Sequence, residues 1–200
     1  MLAQAENNTA IQGAISHLDK VFNLQKNAYR AHPMPTASER IEHIKRLQPA
    51  LEKYLPIFKQ TLSEDFSGRG TAEIEAVEIA ASLAGIEYNT SHIEEWMQDD
   101  ERHTPEAMLP AQAKVVYQPV GVVGIIVPWN YPVYLAVAPL IAALAAGNRV
   151  MIKMSEFTPK TSQAVKEMMS EFFSQNHVAV VTGEAEVAVE FTQLPFNHIL

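Results

Sequence analysis

Residues 119–159, PVGVVGIIVPWNYPVYLAVAPLIAALAAGNRVMIKMSEFTP, constrain the fold more than any other stretch of this chain. They read as a strand, a polar turn, a buried helix, a second strand and a second polar turn. That order opens a βαβ unit of the nucleotide-binding kind. Val120 to Val127 is apolar at nearly every position, as expected for a strand covered on both faces of a parallel sheet. Val133 to Ala146 is a core helix, and Gly147 suits the position just past its end. Arg149 to Ile152 is the next strand. The two turns, 128–132 and 153–156, each follow a strand, and ligands of open parallel sheets sit beyond the carboxyl ends of strands.

The rest of the C-terminal half continues the alternation. Thr158-Pro159 starts a helix that buries Val165, Met168, Met169, Phe172 and Phe173. Val178 to Val181 is a strand, Glu184 to Thr192 a short helix, and 197–200 the beginning of another strand. The pattern β-α-β-α-β-α-β implies right-handed crossovers and a doubly wound sheet. The sequence ends inside that apolar strand, and the expectation is that it is part of a longer protein.

The N-terminal half reads as helices. Apolar spacing gives a first helix of about Ile11 to Ala31, ended by Pro33 and Pro35. Thr36-Ala37-Ser38-Glu39 has the form of a capping box. Pro49 suits a first helical turn, and Pro56 kinks the helix that follows. Thr71 is the expected cap of a long helix with a buried stripe of Ile74, Val77, Ala81, Ala84 and Tyr88. The acidic positions Glu73 to Glu87 read as its solvated face. Residues 98–113 read as a loop, and Lys114 to Gln118 as a strand.

Composition excludes several classes. A formal net charge of −8 does not suit a nucleic-acid binder, which needs a basic face. The chain has no cysteine, hence no disulfide, thiolate metal site or thiol nucleophile of its own. The seven histidines show no metal spacing. No signal peptide is visible at the N-terminus, and the longest apolar run is shorter than the roughly 20 residues of a membrane span. The expectation is a cytoplasmic protein without membrane or nucleic-acid partners.

The two turns together resemble the aldehyde dehydrogenase superfamily. The matching residues are Pro119-Val120-Gly121-Val122-Val123-Gly124, Pro128-Trp129-Asn130-Tyr131-Pro132, Ala146-Gly147-Asn148, Lys153, Ser155-Glu156 and Thr158-Pro159, followed by Val180-Val181-Thr182-Gly183. Arg40, the run Asp65 to Arg69 and the region Ile93 to Trp96 look like the class 3 branch, particularly its coniferyl aldehyde dehydrogenase-like members. Met154 departs from the pattern, standing where the family usually has proline, and the expectation is a less rigid turn.

The resemblance implies an α/β fold in which N-terminal helices pack on a modified Rossmann sheet, doubly wound and parallel. It divides the chain into a helical part, 1–104, a connecting or oligomerisation-arm strand, 105–118, and the first part of an NAD(P)-binding domain, 119–200. It implies an aldehyde substrate, of the coniferaldehyde type in the narrower branch, NAD as cofactor with NADP also used, and a homodimer. Asn130 would donate its side-chain N–H to the oxyanion formed when a thiolate attacks the aldehyde; the plainer reading is that Asn130 supports a proline-flanked turn. Lys153 and Glu156 would hold the adenosine ribose hydroxyls, or else form a solvated pair. Val127, Pro128, Trp129 and Ser155 would shape the cofactor slot, and Trp129 serves equally well as a packing residue. Gly183 would allow the adenine or its own helix to approach, or is a plain turn glycine. The nucleophilic cysteine and a general-base glutamate are expected beyond Leu200, so this stretch by itself would be inactive. A non-catalytic nucleotide-binding module, or an interaction protein pairing through its sheet edge, stays open as the alternative.

Overall fold

A computed structural model describes the backbone of residues 2–200 and the side chains from His17 onward. The helical half comprises α1 (Leu2–Ala31), α2 (Ala37–Lys45), α3 (Leu47–Asp65), the short α4 (Thr71–Glu73), a π-helical stretch Ile74–Ala80 and α5 (Ala81–Trp96). The strands are β1 (Asp100–Arg102), β2 (Ala113–Val115), β3 (Val122–Ile126), β4 (Arg149–Lys153), β5 (Val178–Val181) and β6 (His198–Ile199). Helices α6 (Pro132–Ala145), α7 (Pro159–Phe172) and α8 (Ala185–Gln193) connect the last four strands in turn.

Those four strands form one parallel sheet in the order β5-β4-β3-β6. Numbered from β3, the order is 3-2-1-4, the doubly wound arrangement expected from the sequence. The chain reverses direction across the sheet between β3 and β6, the switch point at which such sheets leave a crevice. Side chains alternate between the two faces, as a strand's period of two requires. Val123, Ile125, Val150 and Ile152 enter one core with the helices α2, α3, α5, α6 and α7. Val122, Met151, Ala179 and Val181 enter a second core with Leu18, Val21 and Phe22 of α1 and with α8. Both cores therefore combine the helical half with the sheet.

Several local expectations hold. Thr36 and Glu39 form the reciprocal capping box, and Gly147 leaves α6 with φ +83°. Asn148 then accepts the amides of Val120 (2.8 Å) and Gly121 (3.0 Å), pinning the approach to β3. Others differ. The first helix begins at Leu2 rather than Ile11, and Gly70 rather than Thr71 occupies the N-cap before α4. The expected loop 98–113 contains β1, which pairs antiparallel with β2 in a small two-stranded sheet. The buried residues along 74–93 are Ile74, Glu78, Ile79, Ser82, Ile86 and Ile93. Ala84 and Tyr88 instead face solvent, because the π-helical stretch advances the register of the buried face.

One half-buried pair carries a pH prediction. His177 packs edge-on against His43, with ring centroids 4.1 Å apart. Burial, then the charges of His43, Arg149 and Arg46, push the His177 pKa from 6.5 down to about 3. The unfolded chain therefore binds a proton that the folded chain refuses between those values. The contribution to stability is complete above the unfolded value and falls with decreasing pH, by up to about 1.4 kcal/mol per pH unit for one proton. Urea midpoints of the wild type should fall between pH 7 and pH 5 by more than those of His177→Gln. Equal falls would show that His177 is not responsible.

Candidate functional site

Strands β3 and β4 lie in register, with Ile126 opposite Lys153, and the Val127 amide donates to the Lys153 carbonyl at 2.9 Å. The turns 128–132 and 154–158 thus leave the sheet side by side, at the carboxyl ends of adjacent parallel strands. Every residue singled out in these turns lies at that edge. Asn130 and Pro128 are exposed at the head of α6. Val127 is buried at 2% exposure, so its backbone and not its side chain borders the edge. Trp129 is 54% exposed and rests against the Phe66 ring, with centroids 6.4 Å apart.

Lys153 is 2% exposed, and its ammonium donates to the Met154 carbonyl at 2.7 Å. An ammonium has three protons, so two remain for a ligand. Burial lowers its pKa, while Glu156 and Glu184 oppose that shift. Ser155 is buried; its hydroxyl accepts the Phe157 amide at 3.2 Å, and its carbonyl accepts the Ser162 hydroxyl at 2.9 Å. Ser155 therefore shapes the turn. Glu156 is half-buried at the rim. Gly183, after β5, has φ +145°, and a Cβ there would come within 2.7 Å of Val187. Glycine permits both that backbone conformation and the close seating of α8.

Met154 alters one expectation. It is fully buried in the larger core, and its amide donates to the Val181 carbonyl at 3.0 Å. Proline has no amide proton to make that bond. The turn is anchored at this position rather than loosened.

A carboxylate lies beneath the first turn. Glu78, assigned above to a solvated face, is 0% exposed. It accepts the Tyr134 amide at 2.7 Å and Arg69 Nη1 at 3.2 Å. Burial pushes its carboxyl pKa upward, while the Tyr134 amide, Arg69 and the Val133 amide pull it back. A signal was present, since Glu78 stands four residues after Ile74 and eight before Ile86, in one helical row. Arg69 lies 3.5 Å from the centroid of the Phe66 ring and 5.0 Å from that of Tyr131. Asp65, at the end of α3, accepts the Thr161 amide at 2.8 Å at the head of α7.

The larger cavities described lie elsewhere. One of about 870 Å³ borders Arg40, Trp96 and Ala146 at the opposite end of α6. One of about 390 Å³ lies beside Pro139, Asn148 and Leu200. Neither is lined by a residue of the two turns. Among the described residues no cluster suits a metal ion, and no helix is long and apolar enough to cross a membrane.

Comparison with known proteins gives a consistent set of relatives. Residues 5–197 match the aldehyde dehydrogenase family. A probable coniferyl aldehyde dehydrogenase of Pseudomonas aeruginosa is 46% identical over 189 residues, covering 94% of this chain and 40% of that protein. A coniferyl aldehyde dehydrogenase of a Pseudomonas species is 35% identical, covering 96% of this chain and 40% of that protein. Among solved structures, substrate-bound AldH of Staphylococcus aureus superposes with a TM-score of 0.86 at 30% identity, over 90% of this chain and 39% of that one. An aldehyde dehydrogenase of Mycobacterium tuberculosis complexed with NAD+ superposes at 0.77 with 28% identity, over 91% and 37%. The chain spans about 40% of the length of the curated relatives it matches.

Proposed function

The chain belongs to the aldehyde dehydrogenase family, and on that premise we propose that it is the N-terminal portion of an NAD(P)-dependent enzyme oxidising an aldehyde to a carboxylic acid. The observation that carries this reading is the pairing of the two turns at one edge of a 3-2-1-4 parallel sheet. The exposed Asn130 stands on the first turn, and Lys153 and Glu156 on the second.

In this reading the adenosine ribose lies at the end of β4. Lys153, with two ammonium protons unspent, donates to one hydroxyl, and Glu156 accepts from the diol. The half-buried Glu156 carboxylate repels a 2′-phosphate, which favours NAD over NADP. Val127, Pro128 and Trp129 form the wall of the slot, Ser155 holds the turn, and Gly183 brings α8 close beneath it. The nicotinamide, when bound, supplies the hydride acceptor. Asn130 acts on the substrate: its neutral amide, held on a short turn, points an N–H at the oxygen that gains charge when a thiolate attacks the aldehyde. The chain contains no cysteine, so the thiolate comes from outside these residues and this stretch by itself does not turn over. Coniferaldehyde-type aromatic aldehydes are the substrate class suggested by the names of the relatives. The hairpin of β1 and β2, with exposed Met108, Leu109, Val116 and Tyr117 along it, is the candidate dimer arm.

The test is aldehyde-dependent NADH formation by the whole protein, with coniferaldehyde set against a short aliphatic aldehyde. Turnover with coniferaldehyde preferred supports the reading. NAD binding without turnover of any aldehyde would replace it with the non-catalytic nucleotide-binding module. For the cofactor, Glu156→Gln should shift the ratio of kcat/KM for NADP to that for NAD by about tenfold, since one charge repulsion of about 1.4 kcal/mol is lost. An unchanged ratio would remove Glu156 from the ribose site.

A further inference from the structure

Helices α6 and α7 begin in the same unusual way. Each follows one of the two turns, each has proline as its first residue, and neither is capped by its own N-cap side chain. The free amides of a helix start need acceptors. Here both sets are met by a carboxylate from the helical half. Glu78 takes the third-position amide of α6, Tyr134 N, at 2.7 Å. Asp65 takes the third-position amide of α7, Thr161 N, at 2.8 Å, and reaches the second, Lys160 N, at 3.4 Å. These are the positions at which an ordinary Asp or Asn cap would act, and negative charge also suits the positive end of each helix dipole.

Glu78 sits in the π-helical stretch Ile74–Ala80. Such insertions are rare and concentrate at functional sites. Within it Glu78 is fully buried, in the same row as Ile74, Ser82 and Ile86. Arg69 then links Glu78 to the turn itself. It pairs with Glu78 at 3.2 Å and lies beneath the Tyr131 ring, while Phe66 supports Trp129. The Tyr131 hydroxyl donates to Glu73 at 3.3 Å. The residues on both sides of Asn130 are thus held by the segment 66–78.

We propose that Glu78 and Asp65 are positioning residues, one for each turn: Glu78, with Arg69, fixes the aim of Asn130, and Asp65 fixes the Lys153–Glu156 turn for the cofactor. The inference rests on the roles given to those turns under Proposed function. It makes the helical half part of the active-site apparatus and assigns its two halves separable effects.

The test uses the whole protein and compares Glu78→Ala, Glu78→Gln, Asp65→Ala and Asp65→Asn, each checked for folding by circular dichroism and melting temperature. Glu78→Ala should lower kcat by up to about 100-fold, the cost of a small misplacement of a catalytic group, with NAD affinity unchanged. Glu78→Gln, which keeps an acceptor for the Tyr134 amide, should recover most of that loss. Asp65→Ala should raise the NAD dissociation constant by about tenfold, the size of one lost cap, with kcat at saturating NAD unchanged, and Asp65→Asn should restore it. On an Asn130→Ala background, Glu78→Ala should add less than twofold. Parallel losses of kcat and NAD affinity in both alanine variants would overturn the inference, as would a full Glu78→Ala effect without Asn130. An Asn130→Ala protein with unimpaired turnover overturns the reading of Asn130 instead. The Asp65 arm, which reads cofactor affinity alone, still decides the positioning claim for the second turn.

Discussion

Asn130→Ala in the whole protein is expected to lower kcat/KM for aldehyde by about 10²–10³-fold, or roughly 2.7–4 kcal/mol, the loss typical of one oxyanion donor. The side chain is exposed at the head of α6, so its removal leaves no cavity and uncovers no buried group. Melting temperature and NAD affinity should therefore stay at wild-type values. Asn130→Asp should be at least as damaging, because a carboxylate would face the developing negative charge. If Asn130 merely supports its turn, the pattern reverses: stability falls, by about 0.5–2 kcal/mol for a lost local cap, and turnover survives in the protein that remains folded. Steady-state kinetics with a titration of NAD on each variant separates the two.

Met154→Ala is expected to destabilise the fold by about 2–5 kcal/mol, the range for truncating a buried methionine or leucine. Met154 is fully buried against the core shared with α3 and α7, so few neighbours can move into the space. Its main chain is also engaged at both ends, donating to Val181 and accepting from the Lys153 ammonium. NAD affinity should fall along with stability, because the backbone that holds Lys153 loosens. Met154→Pro should also be less stable than the wild type, since it deletes the bond to Val181, worth about 0.5–1.5 kcal/mol, together with the thioether's packing. Urea denaturation with an unchanged m-value would attribute the loss to the folded state. A wild-type midpoint in Met154→Ala would contradict the packing role of the side chain, and one in Met154→Pro would contradict the anchoring role of the amide.

The sheet was legible because its strands are covered on both faces. β3, β4 and β5 read as short, β-branched apolar runs between turn signals, and nothing competes with that reading. The Thr36–Glu39 box and Gly147 were legible because caps are local, decided within four residues. What the sequence concealed depends on distant partners. β1 is Asp-Glu-Arg, exposed along most of its length, so it has no apolar alternation, and only pairing with β2 makes it a strand. The π-helical stretch carries no compositional mark, and it shifted every buried position after Ile74. Glu78 was hidden for the same reason: its partners Tyr134 and Arg69 lie 56 and 9 residues away, and a lone glutamate among others reads as solvated. Asn130, Lys153 and Glu156 stood out only as members of a spaced set of motifs.

Hydrogen–deuterium exchange of the whole protein with and without NAD tests most directly whether the two turns form the cofactor site. The account predicts added protection at peptides containing Trp129 to Tyr131 and Met154 to Phe157, with little change at the far end of α6 around Arg40 and Ala146. Protection at that far end, with the two turns unchanged, would contradict it.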